Sequence, residues 1–448
     1  MRPRVAVVGG GIAGIAAALE LVERADVTVF DAADRLGGPV RTVEFADTRV
    51  ETGPDSFLAR RPEMIDFATT LGFGDALTSP AATDAGIWSR GAVRKMPAGL
   101  VLGVPRSLKG LADSGIVSRA AIAWAALDRV LPATKVGEDI GMGDLVQRRF
   151  GRQVQQRLVD PLMGGVHAGR SELLSTAVAA PQLLAAGRKG RSLMASLPEA
   201  PPSTDPVFLT VASGLGEVID AAAKQIPDIR CDTPIDELRV VGAGWEILGE
   251  AFEGVIVATH APVTARLVAD AAPDAADALR SVEYASVVLT LLAYPTAEMR
   301  EPFRLSGFLV PRPEKKLLSA ISWSSAKWAH HAGRGIEIVR ASTGRIDDRR
   351  HEDMDDGALV AALHDEIAQA TGVGSAAPTY ARVNRWPSAL PQFRVGHLTK
   401  VAARAHASAA TAPAPLALAG SAYEGLGLPA CVASGRAAAR AVSVRLGI

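Results

Sequence analysis

Val5-Ala6-Val7-Val8 leads into Gly9-Gly10-Gly11-Ile12-Ala13-Gly14, an apolar run continues to Arg24, and Val27-Thr28-Val29-Phe30 ends on Asp31. The short β-branched run reads as a buried parallel strand. Ile12 to Arg24 reads as a helix and Val27–Phe30 as a second strand. Gly9-x-Gly11-x-x-Gly14 fills the turn between them, and each glycine has a task. Gly9 allows the sharp bend, Gly11 lets a pyrophosphate approach the backbone, and Gly14 lets helix pack on strand. Gly10, Ile12 and Ala13 carry the amides around the helix N-terminus, where unpaired donors favour phosphate. Asp31, 20 residues beyond Gly11, is placed to accept from ribose hydroxyls, with Ala32 beside it. A glycine-rich strand–helix turn would explain the glycines alone. Strand, spacing, helix, second strand and terminal acid together read as a dinucleotide site.

The next stretch narrows the cofactor. Asp34-Arg35-Leu36-Gly37-Gly38-Pro39-Val40-Arg41-Thr42 is similar to the second signature of the large FAD-binding oxidoreductases. A nicotinamide dehydrogenase has no use for this loop, whereas a longer dinucleotide must be gripped again beyond its pyrophosphate. Arg35, Gly38 and Pro39 are the expected contacts. At the far end, Leu416–Ala419 reads as a strand, followed by Gly420-Ser421-Ala422-Tyr423-Glu424-Gly425-Leu426-Gly427-Leu428-Pro429 and a helix from about Ala430 to Val444. The positive end of such a helix suits the edge of an isoalloxazine where negative charge gathers on reduction. Ser421, Leu426, Gly427 and Leu428 are therefore candidate flavin contacts. Two glycine signatures at opposite ends of one chain imply a long cofactor between them. Cys431 in this helix reads as a buried packing residue.

Composition excludes several alternatives. The chain has 448 residues, with 48 Lys and Arg against 48 Asp and Glu. Zero net charge gives no reason to expect a nucleic-acid groove. With 48% hydrophobic and 21% charged residues, the chain is globular rather than disordered. Two cysteines, Cys231 and Cys431, exclude a disulfide framework, and the eight histidines show no paired ligand spacing. The glycines at 9, 10, 11 and 14 break the first apolar run where a signal or membrane helix would be continuous. A cytoplasmic protein is expected, with peripheral membrane contact left open.

"GPDSFLARRPE" from Gly53, "RRFGRQV" from Arg148, "PLMGGVHAG" from Pro161, "NRWPSALPQFRVGH" from Asn384 and "AGSAYEGLGLPACVASG" from Ala419 follow one another along nearly the whole chain. In them the sequence resembles the protoporphyrinogen/coproporphyrinogen III oxidase family, with wording closest to the bacterial coproporphyrinogen III type. The resemblance implies oxygen-dependent oxidation of coproporphyrinogen III to coproporphyrin III, with protoporphyrinogen IX as the alternative substrate. Hydride passes to N5 of FAD, and O2 reoxidises the flavin, giving H2O2. The flavin carries the chemistry, so no protein acid or base is nominated. The resemblance further implies a flavin loop at Gly53, Pro54, Asp55 and Ser56, an adenine neighbour at Ile235 and a flavin neighbour at Trp386.

The implied substrate is an apolar disc with carboxylates, calling for an apolar cavity with cations at its rim. Arg60 and Arg61 follow the flavin loop, and Arg90, Arg94 and Lys95 surround an expected hairpin; each is equally a solvated surface cation. The propionate-binding arginine of mitochondrial relatives falls on Ala85 here. His167 stands where relatives more often have an aromatic residue, as a packed imidazole or a propionate donor, and Gly169 turns the chain into the cavity wall.

The expected fold is α/β with α+β insertions. A discontinuous Rossmann-like FAD-binding domain comprises 1–56, 207–262 and 385–448, with a mainly helical insertion at 57–199 and a mixed-sheet substrate domain at 263–384. Pro198–Pro206 reads as a rigid linker. Ile116, Val117, Ala120, Ala121, Trp124, Leu127 and Val130 recur at helical spacing and read as one amphipathic core helix. A monomer or homodimer is expected. Two other classes compete: a related flavoenzyme acting on amines or carotenoids, and a binding protein that kept only the scaffold. Only four tyrosines and 5% aromatic residues disfavour an aromatic amine cage, and the intact glycine signatures disfavour a scaffold that has lost its cofactor.

Overall fold

A computed structural model describes residues 2–198, 205–298, 304–371, 373 and 377–448. Residues 199–204 of the expected linker lie outside the described residues. Five parallel strands form the first sheet, in the order Asp228–Arg230, Asp26–Phe30, Arg4–Val8, Gly254–Val257 and Leu416–Leu418. Alternating side chains of the first strand feed two cores. Val5 and Val7 pack among Ile15, Val29 and Val432, whereas Ala6 and Val8 pack among Trp245, Val257 and Leu418. Each such buried aliphatic side chain contributes about 1.5–3 kcal/mol, so a strand covered on both faces must be apolar at every position.

The first and last helices, Ile12–Leu21 and Leu428–Leu446, lie against each other on this sheet. Their closest approach depends on Gly435, where an added Cβ would stand 2.0 Å from the Ala13 carbonyl oxygen. The two ends of the chain thus meet on one scaffold. The closing helix begins two residues earlier than its periodicity suggests, because Pro429 suits the first helical turn.

A second, seven-stranded mixed sheet runs Tyr380–Pro391, Tyr284–Pro295, Ile336–Thr343, Leu318–Trp323, Gly307–Leu309, Gly86–Ser89, Ala92–Lys95. Strand Tyr380–Pro391, in whose middle the expected boundary at 385 falls, pairs from Tyr380 to Pro391 with Tyr284–Pro295. Arg385 and Trp386 therefore belong to this sheet. The hairpin around Arg90 forms, but as the sheet's far edge rather than part of the helical lobe.

The helical lobe itself packs Leu145, Phe150, Leu158 and Leu183 into a separate core. One expectation about it fails. The stripe from Ile116 to Val130 is not one core helix. Gly115, at φ 64°, ends the Leu108–Ser114 helix, and the Ser118 hydroxyl caps a new one at Arg119–Ala126. The break resets the helical phase: Ile116, Val117 and Ala121 are buried, whereas Trp124 and Val130 are 51% and 59% exposed. No helix among the described residues is long and apolar enough to cross a membrane.

Candidate active site

In an open parallel sheet, ligands collect outside the carboxyl ends of the strands where the strand order switches. Here that edge carries the Gly9–Gly14 turn after the first strand and the Gly420–Gly427 turn after the last. Gly9, at φ 107°, tolerates no side chain, since a Cβ would lie 2.7 Å from the Ala258 oxygen. Gly14 is equally closed, at 1.9 Å from the Gly9 oxygen. Gly11 is the opposite case: a Cβ there would meet nothing within 4 Å. Two glycines seal the turn, and the third faces open space. Both flanking helices start on a glycine, Gly11 and Gly427, with no side-chain cap. Their first amides, which have no partner within the helix, remain available to a ligand.

The other nucleotide-side candidates gather on this turn. Asp31 accepts from the Gly10 amide at 2.5 Å and the Ala33 amide at 2.8 Å, which aims its carboxylate from the strand end. Exposed Ala32 lies between them. The Gly37 amide donates to the Gly10 carbonyl at 2.7 Å, laying the Arg35–Arg41 loop over the turn. Arg35 spends its donors within this loop, on the Leu36 and Gly38 carbonyls at 2.7 and 2.8 Å. Burial, with Arg41 nearby, lowers its pKa. Gly38 and Pro39 are exposed along the same edge. Ile235 is buried beside Phe30 in the second core.

The ring-side candidates form a second group. Gly53 lies flat on Pro39, its missing Cβ only 1.8 Å from the Pro39 oxygen. Trp386 Nε1 donates to the Thr52 carbonyl at 2.7 Å, which places the tryptophan over the Gly53–Ser56 turn. Asp55 is largely buried and meets Arg340 at 2.6 Å and Lys327 at 2.9 Å; the Ser56 hydroxyl donates to its other oxygen. These cations hold the Asp55 carboxyl far below the usual carboxylate range against the cost of burial. Ser421 and Leu426 are half-buried, Gly427 is exposed and Leu428 is buried. Cys431 is buried, its Sγ 3.7 Å from the Leu426 carbonyl, and burial pushes its thiol up to about 12.

The substrate-side candidates do not form one cluster. Arg60 is exposed, and Arg61 pairs with Glu63 at 2.7 Å. Lys95 pairs with Asp84 at 2.7 Å on the edge strand. His167 and Gly169 do come together, in a turn held by Gln392, whose Nε2 donates to the His167 carbonyl at 2.8 Å. His167 is 6% exposed, stands edge-on to Phe393 and leaves Nδ1 without a partner. Burial lowers its pKa to about 4, so it is neutral at neutral pH. Arg312 donates to the Gly169 carbonyl and pairs with Asp160 at 2.9 Å.

Arg340, Lys327, Trp328, Arg312 and Gln392 were not among the candidates read from the sequence. Arg340 carried a usable signal, being a charge set between Val339 and Ala341 in the strand Ile336–Thr343, whose other charged residue is Glu337 near its start. A charge there demands a buried partner.

Comparison with known proteins gives the chain its relatives. The pattern of the family described as flavin containing amine oxidoreductase matches residues 12–443. A coproporphyrinogen III oxidase from Mycobacterium bovis is 35% identical over 456 residues, covering 98% of this chain and 97% of that protein. One from Bacillus subtilis is 27% identical over 458 residues, with the same coverage. A crystal structure from Exiguobacterium sp. 255-15, provisionally described as a protoporphyrinogen oxidase, superposes with a TM-score of 0.89 at 25% identity, covering all of both chains. A glycine turn with Gly11 facing open space, two uncapped helix starts and an aspartate at the strand end suit a flavin cofactor, and the chain belongs to the flavin-containing amine oxidoreductases, in their protoporphyrinogen/coproporphyrinogen III oxidase branch.

Proposed function

We propose that this chain oxidises coproporphyrinogen III to coproporphyrin III, with FAD as its cofactor and O2 as acceptor, releasing H2O2. The observation that carries the reading is the meeting of the first and last glycine turns at one sheet edge, in a chain matching coproporphyrinogen III oxidases end to end. FAD, when bound, supplies the redox chemistry, accepting hydrogen from the macrocycle and returning electrons to O2.

The chain's own residues bind and orient. Gly11 to Gly14 offer amides to the pyrophosphate, while Gly10 gives its own to Asp31, which takes the ribose hydroxyls, and Ile235 packs near the adenine. Gly53 to Ser56, Trp386 and the Ser421–Leu428 segment bound the ring, with the start of the closing helix at its electron-accepting edge. His167, uncharged at neutral pH, serves a propionate as a hydrogen-bond donor rather than as a cation. Arg60, Arg61 and Lys95 supply charge from the rim, where solvent keeps each contribution small. The proposed setting is the cytoplasm, and exposed Trp124, Leu127 and Val130 are the surface for any peripheral membrane contact.

The test is direct. The purified protein should be yellow, and under air it should generate porphyrin fluorescence faster from coproporphyrinogen III than from protoporphyrinogen IX. Faster turnover of the two-propionate compound would assign the chain to protoporphyrinogen instead. A colourless protein that cannot be reconstituted with FAD would end the reading altogether.

A further inference from the structure

Glu51-Thr52-Gly53-Pro54-Asp55-Ser56 is a short connection with unusual obligations. On one side Gly53 must lack a Cβ to lie against Pro39, whose loop is bonded in turn to the Gly9–Gly14 turn. On the other side four donors from the seven-stranded sheet converge on it. Arg340, from the Ile336–Thr343 strand, meets Asp55 at 2.6 Å and donates to the Gly53 carbonyl. Lys327 and Trp328, just beyond the Leu318–Trp323 strand, reach the same Asp55 oxygen at 2.9 and 3.3 Å. Trp386 holds the Thr52 carbonyl. A segment six residues long thus joins the dinucleotide sheet to the sheet behind the proposed substrate cavity.

This junction is not built for economy. Buried charge is costly unless every polar atom is matched, and an apolar replacement is often as stable. Here Arg340 Nε, Ser324 Oγ and His331 Nδ1 are buried without partners, around a small polar cavity also lined by Glu51, Asp55 and Trp328. An ion cluster kept under those terms earns its place by fixing geometry. Asp55 is also unsuited to proton transfer, because three donors already converge on one of its oxygens.

We infer that Asp55, gripped by Arg340 and Lys327, is a positioning residue that sets the register between the two sheets and hence the placement of the flavin ring against the substrate carbon. The inference rests on the proposed function and deepens it. Its carboxylate is engaged by Arg340, Lys327, Trp328 and Ser56, so Asp55 acts through the Gly53–Ser56 turn.

The experiment uses holoenzyme carrying Asp55→Asn, which keeps size but removes the charge. Flavin content should match the parent, and the visible flavin band should change shape. Anaerobic reduction of the flavin by coproporphyrinogen III should slow at least ~10-fold, since a displacement of ~1 Å can cost ~100-fold, while KM moves less than ~3-fold. Lys327→Gln should shift both readouts the same way by less, and Lys327→Arg, which keeps the charge, should restore them. A folded Asp55→Asn enzyme with the parental spectrum and reduction rate would overturn the inference. So would a rise in KM with no change in reduction rate, which would make Asp55 a binding residue. Should Asp55→Asn fail to fold, a Lys327→Gln enzyme with parental spectrum and rate overturns it equally. A parent that binds flavin but oxidises neither porphyrinogen defeats the proposed substrate alone, and the band shape and dithionite reduction of the variants still decide the role of Asp55.

Discussion

Two of the buried ion clusters in this molecule, one around Asp128 and one around Asp55, are built in opposite ways. In the helical lobe, Asp128 is fully buried and Arg149 nearly so. Asp128 Oδ1 accepts from Arg149 Nε at 2.6 Å and the Leu193 amide at 3.1 Å. Its Oδ2 accepts from the Ser192 hydroxyl at 2.5 Å and the Met194 amide at 3.0 Å. Arg149 spends its remaining donors on the Pro132, Asp128 and Arg191 carbonyls. Every nitrogen and oxygen of the two side chains has a partner. At the junction between the sheets, Asp55 shares Arg340 and Lys327 beside three unmatched polar atoms and a cavity. The closed cluster ties one lobe to itself, whereas the open one ties two parts of the molecule to each other at the proposed flavin. Buried charge alone does not distinguish a structural role from a functional one; the satisfaction of its neighbours does.

The largest expected effect breaks the closed cluster. Asp128→Ala strands the Arg149 guanidinium in the lobe's interior and should cost about 3–5 kcal/mol of stability by urea titration. Flavin content and the rate per folded molecule should stay unchanged. A fall in the flavin reduction rate of the folded fraction would show that the helical lobe also sets the site, and the contrast would collapse.

Acid sharpens the comparison next. Burial lowers His331, beside the open cluster, and His167, in the Gly169 turn, each to about 4. Both are neutral in the folded protein at pH values where the unfolded chain is protonated. Their contribution to stability is therefore present above the unfolded value of about 6.5 and lost as pH falls through about 4. At pH 5 each should have forfeited up to about 2 kcal/mol. Asp55, held low by its cations, also loses its contribution on acidification, below the range of an ordinary carboxylate. His167→Phe, which keeps the packing on Phe393, should flatten the loss of stability between pH 7 and 5; an unchanged slope would remove His167 as its cause.

How much of this could be read in advance follows from the range of the interactions. The Gly9–Gly14 turn, Asp31 and the closing helix declare themselves through local spacing, because strand, turn and helix each impose their own period. The Asp55 grip does not, since Gly53 and Arg340 are 287 residues apart. Arg340 between Val339 and Ala341 in the Ile336–Thr343 strand signals that a partner exists without naming it. Likewise, the strand carrying Trp386 looks continuous with the closing segment, and only long-range pairing with Tyr284–Pro295 assigns it to the other sheet. The Ile116–Val130 stripe misleads for a local reason: Gly115 and Ser118 break the helix, and a four-residue interruption turns Trp124 outward. The substrate contacts are the least legible, because a rim cation has the same sequence signature as any solvated arginine.

A smaller effect probes the link between turn and sheet. Trp386→Phe keeps the ring and removes its hydrogen bond to the Thr52 carbonyl. A loss of about 1 kcal/mol is expected, measured by urea titration, with a change in flavin fluorescence larger than that modest loss would suggest. Parental fluorescence would place Trp386 away from the ring.

The smallest effect lies at the surface, where the rule of the buried clusters inverts. Arg61 is half exposed and already paired with Glu63 at 2.7 Å. Exposed pairs contribute about 0–1 kcal/mol, so neither Arg61→Ala nor Glu63→Gln should move the melting temperature appreciably. A propionate reaching Arg61 must compete with Glu63 for one guanidinium. Arg61→Ala should therefore raise KM for coproporphyrinogen III only about two- to threefold with kcat unchanged, whereas Glu63→Gln should lower it. The opposite signs are the diagnostic part, since general loss of surface charge would not produce them. If both variants leave KM untouched, Arg61 is a solvated cation, and propionate recognition belongs to the turn holding His167 and Gly169.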